Sequence, residues 1–427
     1  MAHETICVVG LGYIGLPTAA MFASHGKTVI GVDIRESVIS TLSTGAIHIE
    51  EPGLDAMVKS VVDSGLFVPQ LKPTHADVFI VAVPTPNLED HSADLTYVHS
   101  AMRSIVPYLR VGNLVILEST SPPGTTEGVV EILEESGLRV GEDLLLAHSP
   151  ERVLPGRILV ELVENDRIIG GQTPAAAEAG AKLYRTFVQG QIHLTDATTA
   201  EMAKLMENTF RDVNIALANE FARVAEEVGI NVHDAIRLAN NHPRVDILQP
   251  GPGVGGHCIA VDPWFIVHAA PNQARIIRTA REINDEQPHL IVAAISDAVS
   301  DISSPVVAVL GLAYKPNVDD VRESPSIEVA SLLLKKGYDL RLHDTHAKSL
   351  PDRMVLTSDI KNALLDADLV VILTHHDEYR DLSPTSTDVQ SVRSRRIYDT
   401  RNIIDQELWQ KHGWLVQQLG VAKWREE

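Results

Sequence analysis

The stretch "TICVVGLGYIGLPTAAMFASHGKTVIGVD", residues 5–33, constrains the fold more than any other part of the chain. An apolar run leads into Gly10, Gly12 and Gly15, spaced G-x-G-x-x-G. A helical pattern follows, closed by Gly26, and a second apolar run ends at Asp33. The order reads strand, tight turn, helix, strand. The glycines permit the turn, a close pass of a pyrophosphate and close helix–strand packing. The helix start offers free N–H groups and a positive dipole end to phosphate. Asp33 stands at the distance where a carboxylate meets the ribose hydroxyls of NAD and repels the extra phosphate of NADP. Arg35 nearby is compatible with NADP.

Further apolar runs follow at "DVFIVAVP", "NLVILEST" and "LLLAHSP", with helical patterns between them. This alternation predicts a parallel, doubly wound sheet. Residues 198–229 hold no proline and no internal glycine, which predicts one long helix capped by Gly229. Helical patterns continue through "NVHDAIRLANN" and 272–300. From about residue 304 the strand–helix rhythm returns, with "RRIYDT" read as the last strand. The expected class is α/β: two Rossmann-like doubly wound domains joined by a central all-helical region with one long helix. The expected boundaries are 1–197, 198–299 and 300–427.

A net charge of −21 argues against nucleic acid and anionic membranes as partners. Any phosphate site must therefore be built locally. No apolar stretch reaches ~18 residues, so no membrane span is expected. The N-terminal segment lacks a basic region and a small-residue cleavage site, so no secretory leader is expected. Two cysteines cannot build a disulfide framework, and no Cys/His cluster has zinc spacing, so no metal is expected. A reducing, cytoplasmic compartment suits this usage.

The cysteines differ in setting. Cys7 lies within the first apolar strand, as a small filler. Cys258 lies in "PGPGVGGHCIAVDP", where the backbone turns freely and can approach a ligand. Lys204, Asn208 and Arg211 share one face of the long helix at i, i+4 and i+7. That stripe suits a solvated face as well as a cleft lining. Glu151 in "SPERVLPG" and Thr120 in "ESTSPPGTT" follow predicted strands at their carboxyl edges. Taken singly, each also reads as a surface acid or a turn hydroxyl. Lys315 and Arg322, in "GLAYKPNVDDVRESP", could hold a diphosphate or make ordinary surface ion pairs.

Seven motifs occur in one order: "GLGYIGLP", "VPTP", "ESTSPPGTT", "SPER", "EMAKLMENTFRDVN", "GPGVGGHCIAVDP" and "GLAYKPNVDDVRESP". In these the chain resembles the UDP-glucose/GDP-mannose dehydrogenase family over nearly its whole length. Stretches such as "PERVLPG", "FRDVNIALANE" and "RTAREIND" look like a branch that handles an N-acetylated amino sugar. The resemblance implies a four-electron oxidation of a UDP-sugar's primary alcohol to a carboxylate, with two NAD reduced in turn.

The same resemblance assigns roles. Cys258 is the nucleophile that captures the aldehyde. Lys204 stabilises the developing oxyanion, and Asn208 helps by hydrogen bonding. Asp262 assists proton transfers and tunes Lys204. Glu151 is the base for water attack on the thioester, with Thr120 positioning that water. Tyr13, Ile14, Pro84, Thr85 and Thr120 join the glycines and Asp33 around NAD. The UDP-sugar falls to Glu151, Arg152, Lys204, Asn208, Arg211, Gly255, Lys315 and Arg322. Arg244 matches a family arginine that reaches a neighbouring subunit's site, two residues adrift in spacing. His257 is either structural or substrate-facing. The long helix is the family's dimer core, so a homodimer or larger homo-oligomer is expected. The same chemistry on another sugar, UDP-N-acetylglucosamine or UDP-glucose, stays open. Two readings of different chemistry also exist: a two-electron hydroxyacid dehydrogenase, and a non-catalytic NAD-binding scaffold. The first leaves Cys258 and the third domain unexplained. The second would be expected to have lost Cys258, Lys204 or Asp262.

Overall fold

The computed structural model describes residues 4–256, 258–351 and 354–422. Contacts divide the chain into two units: residues up to 207 together with 268–270, and 208–267 together with 271 onward.

The first unit carries eight strands: β1 (Thr5–Val9), β2 (Thr28–Val32), β3 (Phe67–Gln70), β4 (Val78–Val81), β5 (Leu114–Leu117), β6 (Leu145–His148), β7 (Arg167–Gly171) and β8 (Ile192–Asp196). Their order is β3-β2-β1-β4-β5-β6-β7-β8, and the first six run parallel. The chain reverses direction in the sheet at β1, leaving a crevice at the carboxyl ends of β1 and β4 where such sheets bind ligands. β4 and β5 are buried throughout, as strands covered on both faces must be. β7 runs antiparallel to β6, an exception to the all-parallel expectation. β3 contains Pro69, which an edge strand tolerates; that proline hid it from the sequence reading.

The second unit carries β9 (Val306–Leu310), β10 (Asp339–His343), β11 (Leu369–Ile372), β12 (Arg396–Asp399) and β13 (Leu415–Gln418). The order β10-β9-β11-β12-β13 is wholly parallel. It is the second common doubly wound arrangement. "RRIYDT" is thus not the last strand: β13 follows it, and its two glutamines masked the apolar pattern.

The long helix spans Ala197–Val228, 32 residues. It begins in the first unit and continues into the second. Ala200, Glu201, Lys204, Leu205, Asn208, Asp212 and Ala216 form its buried stripe. A second helix, Arg275–Ala298, continues across Pro288. A short helix, Asp262–Ala269, follows Cys258 where the sequence reading had only a loop.

Candidate active site

In the first unit the loop after β1 has the expected shape. Gly10 has φ +95°, and a Cβ there would lie 2.4 Å from the Ala82 carbonyl oxygen. A Cβ on Gly15 would lie 1.8 Å from the Gly10 oxygen. On Gly12 it would meet nothing within 4 Å. Two glycines therefore serve the fold and the middle one leaves open space, as a cradle for pyrophosphate requires. Asp33 accepts from the Leu11 N–H at 3.2 Å and the Arg35 N–H at 3.0 Å. The Arg35 guanidinium grips the same carboxylate at 3.1 and 3.2 Å. Burial alone would raise the Asp33 carboxyl, but Arg35 and the N–H donors hold it below its usual value. In "VPTP", the Thr85 hydroxyl and, just beyond it, the Asn87 side-chain oxygen Oδ1 are buried with no partner among the described residues. Open space at Gly12, an ionised Asp33 and two orphaned polar atoms fit a dinucleotide. Tyr13 and Ile14 lie at the turn between Gly12 and Gly15, with Tyr13 exposed.

Two loops at the carboxyl ends of β5 and β6 are tied down by carboxylates from distant segments. Glu201 accepts from the Gly124 N–H at 2.6 Å, the Thr126 N–H at 2.7 Å and the Thr126 hydroxyl at 2.6 Å. This fixes the segment carrying Thr120. Glu51 accepts from the N–H groups of Gly156 and Ile158 at 2.8 and 2.7 Å, which fixes the end of "SPERVLPG". Glu151 is buried, with one oxygen on the Arg152 N–H at 2.7 Å and the other on Arg167 Nη2 at 2.9 Å. The Arg152 guanidinium binds Glu207 at 2.6 Å and the Asp166 carbonyl. It is thus engaged within the protein.

In the second unit Cys258 is exposed and in no disulfide. Its carbonyl accepts from the N–H groups of Val261 and Asp262, at 3.1 and 2.9 Å. The thiol thus sits just ahead of the short helix that Asp262 opens. Asp262 is 2% exposed and accepts from Asn208 Nδ2 at 2.5 Å. Arg211 donates to the Asn208 oxygen. Lys204, 8% exposed, lies one turn before Asn208 on the long helix. His257 lies outside the described residues.

The glycine loop before Cys258 is seated by close contacts. A Cβ on Gly253 would lie 3.2 Å from the Asn284 carbonyl oxygen. That carbonyl lies four residues before Pro288, which has no N–H to give it. A Cβ on Gly255 would lie 2.5 Å from the Glu323 oxygen, and one on Gly256 would meet the Tyr314 ring. The loop thus lies flush against 314–325, the segment that carries Lys315 and Arg322. Arg322 is paired with Asp320 at 2.8 and 2.6 Å. Arg244 is exposed.

Sequence reasoning missed Arg401. Its guanidinium stands where a Cβ on Gly251 would lie, 2.2 Å from Nη1, and Nε donates to the Leu373 carbonyl at 3.0 Å. Burial pushes it down to about 10, with Asp399 pulling the other way. A cation just past the carboxyl end of β12 was the available signal, since α/β sheets bind ligands at that edge.

The fold and the cradle define an NAD-dependent dehydrogenase built of two doubly wound sheets. The chain matches three descriptions of one family: "UDP-glucose/GDP-mannose dehydrogenase family, NAD binding domain" over residues 4–188, the central domain over 198–286, and the UDP binding domain over 308–406. The chain belongs to the UDP-glucose/GDP-mannose dehydrogenase family, and it is a nucleotide-sugar dehydrogenase. A relative from Methanocaldococcus jannaschii, named UDP-N-acetyl-D-mannosamine dehydrogenase, is 51% identical over 98% of this chain and 97% of its own. One from Ralstonia solanacearum, named NDP-N-acetyl-D-galactosaminuronic acid dehydrogenase, is 50% identical over 94% and 96%. The solved structure of UDP-D-ManNAc dehydrogenase from Pyrococcus horikoshii superposes with a TM-score of 0.90 at 44% identity, covering 98% of this chain and 99% of that one. Among the described residues, no helix is long and apolar enough to cross a membrane.

Proposed function

We propose that the enzyme oxidises UDP-N-acetyl-D-mannosamine at its primary alcohol to UDP-N-acetyl-D-mannosaminuronate, through a covalent intermediate on Cys258. The observation that carries this reading is the exposed Cys258 thiol in a glycine loop, one turn before an Asp262 that binds Asn208. The names of the 51% and 44% identical relatives support the mannosamine sugar. The Ralstonia relative's name supports a second reading, an N-acetylgalactosamine configuration.

Gly10, Gly12, Gly15, Asp33 and Thr85 would hold NAD, with Tyr13, Ile14, Pro84 and Thr120 beside it. Held there, NAD would supply the hydride acceptor for each oxidation, one cofactor per oxidation. After the first, Cys258 adds through sulfur to the aldehyde carbon, and the oxygen becomes the hydroxyl of a thiohemiacetal. Lys204 and Asn208 stabilise negative charge on that oxygen, and Asp262 orients Asn208. The second oxidation leaves a thioester. Water, placed by Thr120 and deprotonated by Glu151, attacks its carbon, releasing carboxylate and restoring the thiol. Gly255, Lys315 and Arg322 engage the UDP portion, and Arg401 packs against Gly251 at the start of the same loop. Arg152, Arg211, His257 and Arg244 remain candidates for sugar contacts. We assign NAD to residues 1–197, the helical region to 198–299 and the UDP portion to 300–427. The exposed apolar residues of the long helix support a homo-oligomer, and a cytoplasmic location suits two reduced cysteines.

The test is the yield of NADH per sugar, with the mannosamine, galactosamine, glucosamine and glucose nucleotides compared. Two NADH from the mannosamine sugar and little from the others is the expected result. One NADH would remove Cys258 from the mechanism. For Cys258→Ser we expect substrate binding to survive while oxidation stalls before the carboxylate.

A further inference from the structure

Beneath Glu151 lies a polar cluster that the reaction above does not use. Arg167, in β7, is fully inside the protein. Its Nη2 donates to Glu118 at 2.6 Å and to Glu151 at 2.9 Å. Its Nε donates to the Ser149 hydroxyl at 2.9 Å. The Tyr184 hydroxyl donates to the same Glu118 oxygen at 2.8 Å, and the guanidinium carbon stands 3.9 Å over the Tyr184 ring. The guanidinium is thus fixed on several sides before it meets Glu151.

We propose that Arg167, held by Glu118, Tyr184 and Ser149, is a positioning residue that orients the Glu151 carboxylate for thioester hydrolysis. The inference rests on the cysteine reading given above. The geometry supports it in two ways. Arg167 takes one Glu151 oxygen and the Arg152 N–H takes the other, so both ends of the carboxylate are directed. And Arg167 is shared: one cation faces two buried carboxylates, Glu118 and Glu151, so its position is fixed by the first while it directs the second. Burial raises Glu118 despite its pairing with Arg167. Burial also opposes the charge on Arg167, yet Glu151, Tyr184 and Glu118 outweigh it and keep the guanidinium protonated. A lysine cannot copy this fork, because its single ammonium lacks the planar set of donors.

Cluster residues come from β7, from the carboxyl ends of β5 and β6, and from the helix Pro174–Tyr184. Glu51 and Arg167 thus fix the Glu151 loop from two directions, one through its backbone and one through its reactive side chain.

The experiment uses the full chain with Arg167→Lys and the near-isosteric Glu118→Gln, beside Glu151→Gln and the unaltered enzyme. Each is mixed with NAD and the sugar nucleotide that the unaltered enzyme oxidises. NADH is followed from the first turnover, and covalent sugar nucleotide on Cys258 is read by intact mass. For Arg167→Lys we expect kcat to fall on the order of 100-fold, the effect of misplacing a reacting group by about 1 Å. KM should fall in step, leaving kcat/KM within about threefold, since every step before the slowed hydrolysis is untouched. The early NADH burst should persist and the adduct should accumulate. Glu118→Gln should show the same partition in milder form, and it keeps the test alive if the lysine variant does not fold. Wild-type kcat in both variants, or a burst that falls in step with kcat, would overturn the proposal. If Glu151→Gln also traps no adduct, the cysteine reading itself has failed. If Glu151→Gln traps it and the Arg167 and Glu118 variants do not, only the positioning role has.

Discussion

Gly12 and Gly15 are both glycine for different reasons, and substitution separates them. Alanine at Gly15 would push its Cβ to 1.8 Å from the Gly10 oxygen, so the turn itself must break. Alanine at Gly12 meets nothing in the protein, so its cost falls on the ligand alone. We expect Gly12→Ala to cost less than about 1 kcal/mol of stability. Its affinity for NAD should drop about tenfold or more, because the methyl fills the space the pyrophosphate uses. Gly15→Ala should lose both. Thermal melts with and without NAD decide the matter. Equal NAD affinity in Gly12→Ala would mean that the cradle is shape without function. These positions were legible because a motif of six residues fixes its own geometry. Arg167 and Glu118 were not, because they lie 49 residues apart and only the sheet brings β5 and β7 to either side of β6. Arg401 was hidden for the same reason.

At the scale of elements, the long helix and the helix Arg275–Ala298 are joined by a buried ion pair. Arg281 Nη1 meets Asp212 Oδ1 at 2.5 Å, and neither side chain reaches solvent. Asn284 donates to the same Asp212 oxygen at 2.9 Å and accepts from Asn219 Nδ2 at 2.9 Å. The Asn219 oxygen in turn accepts from the Gly251 N–H at 2.9 Å, and Gln287 holds the Gly251 carbonyl at 3.1 Å. The chain of contacts therefore runs from the helix pair to the start of the glycine loop. Arg281→Met strands Asp212 and should cost about 3–5 kcal/mol in denaturant unfolding. Replacing both, Arg281→Met with Asp212→Leu, should recover much of that loss, since an apolar pair needs no partner. No recovery in the double variant would mean that the remaining network, not the charge, dominates. The helix at 197–228 was readable from its unbroken run of helix formers. The one at Asp262–Ala269 was not, because a proline as second residue and an apolar, unpatterned sequence look like loop.

At the scale of the whole molecule, acid sensitivity follows from burial. His148 is wholly buried, neither ring nitrogen has a partner among the described residues, and burial lowers it from 6.5 to about 3. Its folded value lies below its unfolded one, so between these pH values the unfolded chain binds more protons. Stability then falls as pH drops through this window, by about 2 kcal/mol from this group at pH 5. Replacing His148 by Leu should flatten the Tm–pH curve between pH 6.5 and 4; an unchanged slope would assign it to other groups. Assembly is the other whole-molecule property. Met206, Phe210, Leu217, Phe221, Val224 and Val228 stand exposed along one long helix at spacings of three, four and seven. Stripes of this kind are covered in stable proteins. For the homo-oligomer we propose, Phe210→Asp with Leu217→Asp should reduce the mass in light scattering to that of one chain. An unchanged mass would place the interface elsewhere.

The second sheet repeats the frame of the first. Gly311, φ +84°, stands after β9 as Gly10 does after β1, each with a carbonyl 2.4 Å from where its Cβ would be. Asp344 follows β10 as Asp33 follows β2. The G-x-G-x-x-G spacing is absent there, since Ala313 and Pro316 stand where the second and third glycines would be. Yet Asp344 is turned inward: it accepts from the N–H groups of Leu312, Ala313, His346 and Ala347, and from His376 Nε2. Ala313 stands where Gly12 leaves open space, so the second sheet does not repeat the dinucleotide cradle. If each sugar is oxidised twice, the spent carrier must depart and a fresh one must dock while the half-finished sugar stays moored. In the mechanism we propose, Cys258 is that tether, which gives a thiol its place in a loop of glycines.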